Sequence, residues 1–207
     1  MVALVLNGQS FDVTGETMRD VLLHASGRLD KGHAISRVVV DGNETPGYME
    51  DSFLASSALQ IRRVEVESQS VKDLVLKGVN LEGRFLTELC KDLPRIALAF
   101  RKSEATKASE NLIVIADGLK SLVQVLQSVS TFFPEFYKTF VYDEKSVDAH
   151  LRDFSGILES IHIAQTQSDW VMLADIIEYE LTEKIRNWGS LLDQLTVELS
   201  SITPSEC

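Results

Sequence analysis

The stretch Ser168–Trp188, SDWVMLADIIEYELTEKIRNW, sets five carboxylates among apolar residues: Asp169, Asp175, Glu178, Glu180 and Glu183. Whether they converge on a site or line the wet side of a helix decides how the C-terminal half is read. At about 100° per residue, Trp170, Leu173, Ile177, Leu181, Ile185 and Trp188 gather into one stripe, continued by Leu192, Leu195, Leu199 and Ile202. On the same wheel Asp175 and Glu178 fall on one flank, Asp169 and Glu180 on the other, and Glu183 toward the back. A divalent ion has to be surrounded by inward ligands from facing helices, so diverging acids predict a solvated face. Ile176 and Tyr179 fall opposite the stripe. Leaving two such side chains in water forgoes roughly 2–4 kcal/mol of burial, so another part of the chain or a partner is expected to cover them.

Working back from that helix, the linker QTQS (165–168), with Ser168 as N-cap, is too short for anything but an antiparallel neighbour. That neighbour is expected from about Asp143, with Val147, Leu151, Phe154, Leu158 and Ile161 inward. The clearest helix places Ala105, Ala108, Leu112, Ile115, Leu119, Leu122, Leu126, Val129 and Phe133 at alternating spacings of three and four. Before it, SVKD (70–73) starts a helix with Leu81, Phe85, Leu89, Leu93, Ile96 and Phe100 on one face, and Gly78, Gly83 and Pro94 predict a break. Four helices with short connections predict an antiparallel four-helix bundle over residues 69–207.

The first third has the two-residue period of strands. VALVLN meets Asn7-Gly8, a pair suited to a type I′ turn, and then SFDV, which predicts a hairpin. Thr17 and Asp20 have capping-box spacing and begin a helix carrying Met18, Val21, Leu22, Ala25 and Leu29, expected to end near Gly32. ISRVVVDGNE and LQIRRVEVES supply two further strands around a loop with Pro46 and Gly47. The order is ββαβ, loop, β. This order, with Asn-Gly near residue 7 and a closing strand near residue 65, resembles the β-grasp fold of ubiquitin and the small sulfur carriers over residues 1–68. The resemblance implies a fold only. The carriers end in a free Gly-Gly, whereas here VEVESQSVKD runs on into a helix, so a docking module is implied. The expected class is α+β: a small β-grasp-like domain (1–68), then a four-helix bundle domain (69–207).

Thirty-one acids against twenty Lys and Arg give the 207-residue chain a formal charge of −11. Such a chain repels phosphate backbones and anionic membranes, so neither nucleic acid nor membrane is an expected partner. The basic doublet Arg62-Arg63 is read as the end of a strand, and no concentrated basic patch appears. Two cysteines, Cys90 and Cys207, make no disulfide framework and predict a reducing cytosol. The strand-like MVALVLNGQSFDV predicts no signal peptide, and no apolar run is expected to reach membrane-spanning length.

Motifs for chemistry are few. Glu159 and His162 form an E-x-x-H, one face of a ferritin-like di-iron site, which would also need Asp175 and Glu178 to converge on them. This metal-dependent enzyme is the alternative reading. A solvated pair is the simpler one, and no cofactor is expected. Cys90 on an apolar helix reads as a small core residue. The most unusual composition is FFPEFYKTFVY (132–142), with six of the chain's fifteen aromatic residues. Phe132, Phe133, Phe136, Tyr137 and Phe140 either plug the end of the bundle or, with Ile176 and Tyr179, form a partner-binding patch.

The acidic, heptad-patterned bundle with Trp188 on its last helix loosely resembles the flagellin-type export chaperones over residues 80–200. That resemblance implies a bacterial, cytosolic, non-enzymatic chaperone or adaptor. The expected partner is a protein, held as a basic or amphipathic helix against apolar side chains within an acidic rim; a homodimer is compatible with the same surface.

Overall fold

The computed structural model describes residues 1–102 and 105–202, with residues 105–111 as backbone alone. The expected core positions Ala105 and Ala108, and Cys207, therefore lie outside the described side chains. The chain is mixed α+β and divides into two compact units, Met1–Leu74 and Val75–Cys207.

In the first unit, β1 (Val2–Leu6) and β2 (Gln9–Val13) form the predicted hairpin, with Asn7 and Gly8 both at positive φ. Helix α1 (Met18–Ser26) follows. Its capping box is complete: the Thr17 hydroxyl accepts from the Asp20 N–H, and the Asp20 carboxylate accepts from the Thr17 N–H at 2.9 Å. The helix stops at Gly27 instead of near Gly32, and Leu29 packs partly buried against the core from beyond its end. Strand β3 (His33–Val40) turns through Asp41-Gly42 into β4 (Asn43–Glu44). A short α2 (Asp51–Leu54) precedes β5 (Arg63–Ser70). The sheet order is β2-β1-β5-β3-β4, with β1 parallel to β5 and the other pairs antiparallel. One face packs on α1 through Leu4, Val64, Val66, Met18 and Val21, all fully buried.

Helix α3 (Val71–Arg101) starts on the predicted cap, with the Asp73 N–H donating to Ser70 Oγ at 3.0 Å. It is continuous, where a break was expected. Proline at 94 forfeits the bond to the Cys90 carbonyl, yet Leu93, Ile96, Ala97 and Phe100 are buried on either side and their packing holds the helix through it. The boundary between the units falls within its first turn.

The second unit continues with α4 (Ala105–Phe132), whose Ile115, Leu119, Leu122, Leu126 and Val129 are buried as the spacing predicted. Contrary to expectation, Leu112–Phe132 is long and apolar enough, by length and composition, to cross a membrane; 33% of it is buried within the chain. A short α5 (Pro134–Thr139) leads to a two-residue hairpin, β6 (Val141–Tyr142) and β7 (Lys145–Ser146), where a helix from Asp143 was expected. Helix α6 (Val147–Thr166) therefore begins four residues later, capped by Ser146, and buries Val147, Phe154, Ile157 and Ile161. Leu158 is exposed, because Ile157 takes the inward position.

The last helix is capped by Asp169, not Ser168, whose φ is positive. It runs as α7 (Trp170–Asp175), a π-helical turn (Ile176–Leu181) and α8 (Thr182–Ser201). Leu173, Ile177, Leu181, Ile185, Trp188, Leu192, Leu195 and Leu199 are buried, the stripe read from the sequence. Phe100 of α3 stacks on Trp170 with centroids 5.8 Å apart, and Trp188 of α8 meets His150 and Phe154 of α6 edge-on.

The β6–β7 turn is made by Asp143 and Glu144, both left-handed (φ 48° and 61°) without a glycine. Glu144→Gly is expected to raise stability by about 0.5–1 kcal/mol, read from the urea midpoint at unchanged slope, because glycine removes the Cβ penalty at that turn position.

Candidate functional site

Three of the five acids of the opening stretch are used structurally. Asp169 Oδ1 accepts from the Met172 N–H at 2.9 Å and caps α7. Arg101, the last residue of α3, reaches across to Asp175 at 2.7 Å and to Glu178 beside it. The two carboxylates, Asp175 first, hold the Arg101 guanidinium above its ordinary pKa. Glu180 and Glu183 face solvent. With Asp175 and Glu178 engaged by Arg101, and Glu159 and His162 both exposed on α6, the four residues of the metal alternative are not gathered. Among the described residues no group of three or more His, Cys, Asp or Glu is placed to hold a metal.

Ile176 is 4% exposed, which corrects its expected outward position. The cause is the π turn. Thr182 donates both its N–H and its buried hydroxyl (2.9 Å) to the carbonyl of Ile177, five residues back. A turn with one residue more than an α-turn lets Ile176 and Ile177 face inward together, where a 100° wheel allows only one of them. Tyr179 remains outside, 64% exposed. It shares a shallow concavity with Val171 and Met172, also exposed, bordered by Asp169, Asp175 and Glu180.

The aromatic segment divides. Phe133 and Phe140 are buried, and Phe140 packs against half-buried Phe136 with centroids 5.5 Å apart. Tyr137 is half-buried; its hydroxyl donates to Asp148 at 2.9 Å, and burial first, then that bond, pushes its pKa up. Phe132 is half-exposed. Thus Phe133, Phe140 and Ile176 belong to internal packing, and the surface retains Phe132 and Tyr179.

The sequence reading missed Glu82. It is 4% exposed on α3; its Oε2 accepts from Ser121 of α4 at 2.6 Å, and its Oε1 has no hydrogen-bond partner among the described residues. Burial raises its pKa against the opposing bond from Ser121. Leu81, expected in the core, is 56% exposed instead. The signal was present, for Val75, Val79, Glu82, Leu86, Leu89, Leu93, Ile96 and Phe100 alternate four and three throughout, with the acid at a core position. Glu82 lines an open, mainly apolar groove between α3 and α4, walled by Leu81 and Phe85 on one side and Val114 and Gly118 on the other. Gly118 leaves room for that ring, because a Cβ there would stand 2.0 Å from it and displace it.

An α+β chain with an N-terminal five-stranded sheet, a helical C-terminal region and two apolar concavities edged by acids is the class of molecule these observations define. A family model covers residues 84–191, just over half of the chain, and the chain belongs to that family, described as a domain of unknown function (DUF8042). The match takes in the Arg101 clamp, the π turn, Phe85 and Ser121, and begins two residues after Glu82. No curated protein and no solved structure matches.

Ile176→Ser is expected to cost about 3 kcal/mol by leaving a cavity and a polar group inside, whereas Tyr179→Ser stays within about 0.5 kcal/mol of the parent; denaturant titration separates them. Because Glu82 binds its proton more tightly in the folded chain than in the unfolded one, the stability that proton gives is present near and below pH 4.5 and is lost as pH rises through the raised folded value. Glu82→Gln should therefore melt increasingly above the parent as pH climbs from 4.5 to 7, and a constant difference would refute the buried carboxylate.

Proposed function

We propose that this chain is a non-enzymatic protein-interaction module, chaperone-like or adaptor, that holds a basic or amphipathic helix of a partner protein. One observation carries the reading: Val171, Met172 and Tyr179 stand exposed together in a concavity bordered by Asp169, Asp175 and Glu180. Apolar groups in water with an acidic border suit an apolar helix face edged by Lys or Arg. The net charge of −11 favours the same kind of partner over nucleic acid or an anionic membrane. The finer architecture belongs to this reading as well. The sheet unit, with parallel β1 and β5 at its centre and α1 crossing over, is read as β-grasp-like, a docking fold. The helical unit is read as an antiparallel four-helix bundle like that of the flagellin-type export chaperones, working in a reducing cytosol. A π turn under the concavity supports the reading, since such turns recur at functional sites.

The test is affinity capture of the full chain from its native cell, with any bound protein identified by mass. Parent and a Val171→Ser/Tyr179→Ser variant should melt within a degree or two of each other, and the variant should lose the co-purifying protein. An unchanged set of captured proteins would sink the proposal.

A further inference from the structure

The groove between α3 and α4 contains a group that nothing in the fold explains. A carboxylate in a core position costs several kcal/mol unless it is paired, and replacing it by an apolar residue is usually neutral or better. Glu82 has one hydroxyl partner, on Oε2, and Oε1, closed to solvent beneath the groove, is without a partner among the described residues. The groove nonetheless stays open to solvent at its mouth, with Leu81 and Val114 exposed along the rims. Its wall is the Phe85 ring, admitted against α4 only because residue 118 is glycine. A carboxylate at the floor, an aromatic face beside it and apolar rims together form a socket for a cation on an aliphatic stem.

We propose that this groove seats a lysine side chain presented by an amphipathic helix of a partner protein, with the ammonium on Glu82 Oε1. Lysine is preferred to arginine because a compact ammonium needs one oxygen, whereas the fork of a guanidinium would have to share Oε2 with the Ser121 hydroxyl. The four-carbon stem lies between Phe85 and the Leu81 and Val114 rims. Asp117 also lines the groove from α4 and adds to its negative field. The occupant is a foreign segment rather than a second copy, because two chains of charge −11 repel one another. This inference rests on the partner-binding reading and supplies the residue that such a partner would have to carry.

The socket is tested without the partner, using n-hexylammonium as probe and 1-hexanol as its neutral counterpart, titrated into the ¹⁵N-labelled full chain. Saturable shifts at the Gly118 and Ser121 amides are expected with hexylammonium, with hexanol at least about tenfold weaker. Glu82→Gln, which keeps the Ser121 bond, should weaken hexylammonium by about tenfold or more and melt no lower than the parent. Gly118→Ala, which displaces the Phe85 ring but leaves the carboxylate, should weaken it as well. Equal binding of hexanol, undiminished binding by Glu82→Gln, or no saturable shift would each overturn the inference. So would a concentration-dependent dimer in sedimentation that Glu82→Gln abolishes, which would give the groove to a second copy. A captured partner indifferent to Glu82→Gln would remove this socket and leave the partner reading standing; hexylammonium binding with no protein captured would do the reverse.

Discussion

The helical unit depends on one irregularity in its last helix, the π turn over Ile176–Leu181. An α-helix offers one apolar stripe, here filled at regular spacing by Leu173, Ile177, Leu181 and Ile185, and burying Ile176 beside them takes a turn with one extra residue. The Ile177 carbonyl absorbs it by accepting from both the N–H and the hydroxyl of Thr182, inside the core where no water competes. The same helix is tied to α3. Asp175 and Glu178, three residues apart and so on one flank, both meet the Arg101 guanidinium, and Phe100 next to it stacks on Trp170. Two of the five acids that look like a site in the sequence, Asp175 and Glu178, thereby tie the end of α3 to the last helix, while Glu180 stays exposed at the border of the Tyr179 concavity. These ion pairs are part-exposed and individually worth little, so they fix geometry more than they add stability.

What the sequence made legible follows from how local each signal is. The Asn7-Gly8 hairpin, the Thr17–Asp20 capping box and the Ser70 cap are short-range hydrogen-bond patterns, and each appears at its predicted residues. The stripe Leu173 to Leu199 was legible because eight buried residues outvote one irregular turn. Boundaries that depend on tertiary packing were not. Proline at 94 reads as a break until the buried neighbours on both sides are known, and the β6–β7 hairpin carries no glycine to announce it. Ile176 was misplaced because a wheel of fixed angle cannot represent a turn of five.

Glu82 shows a different limit. Its heptad position was readable, but apolar counting skips an acid and settles on the neighbouring leucine, so Leu81 was placed inside and Glu82 was not considered. The local pattern and the chemistry disagree at this one position, and such disagreements concentrate where a protein has something other than stability to preserve. The buried carboxylate, the glycine that admits Phe85 and the serine that engages only one oxygen are independent features of two helices meeting at one point.

The apolarity of α4 bears on the same point. A helix long and apolar enough to span a bilayer is one-third buried within the chain, and what it leaves outside includes Ile113, Val114, Val123 and half of Phe132. Asp117, Lys120, Gln124 and Gln127 interrupt that outer face, so it is a mixed surface. Apolar side chains at that spacing beside a groove with a charged floor favour an occupant that is itself amphipathic. A bilayer would strand Glu82 unpaired in hydrocarbon, whereas a helix carrying one lysine satisfies the carboxylate and covers Val114 in the same contact.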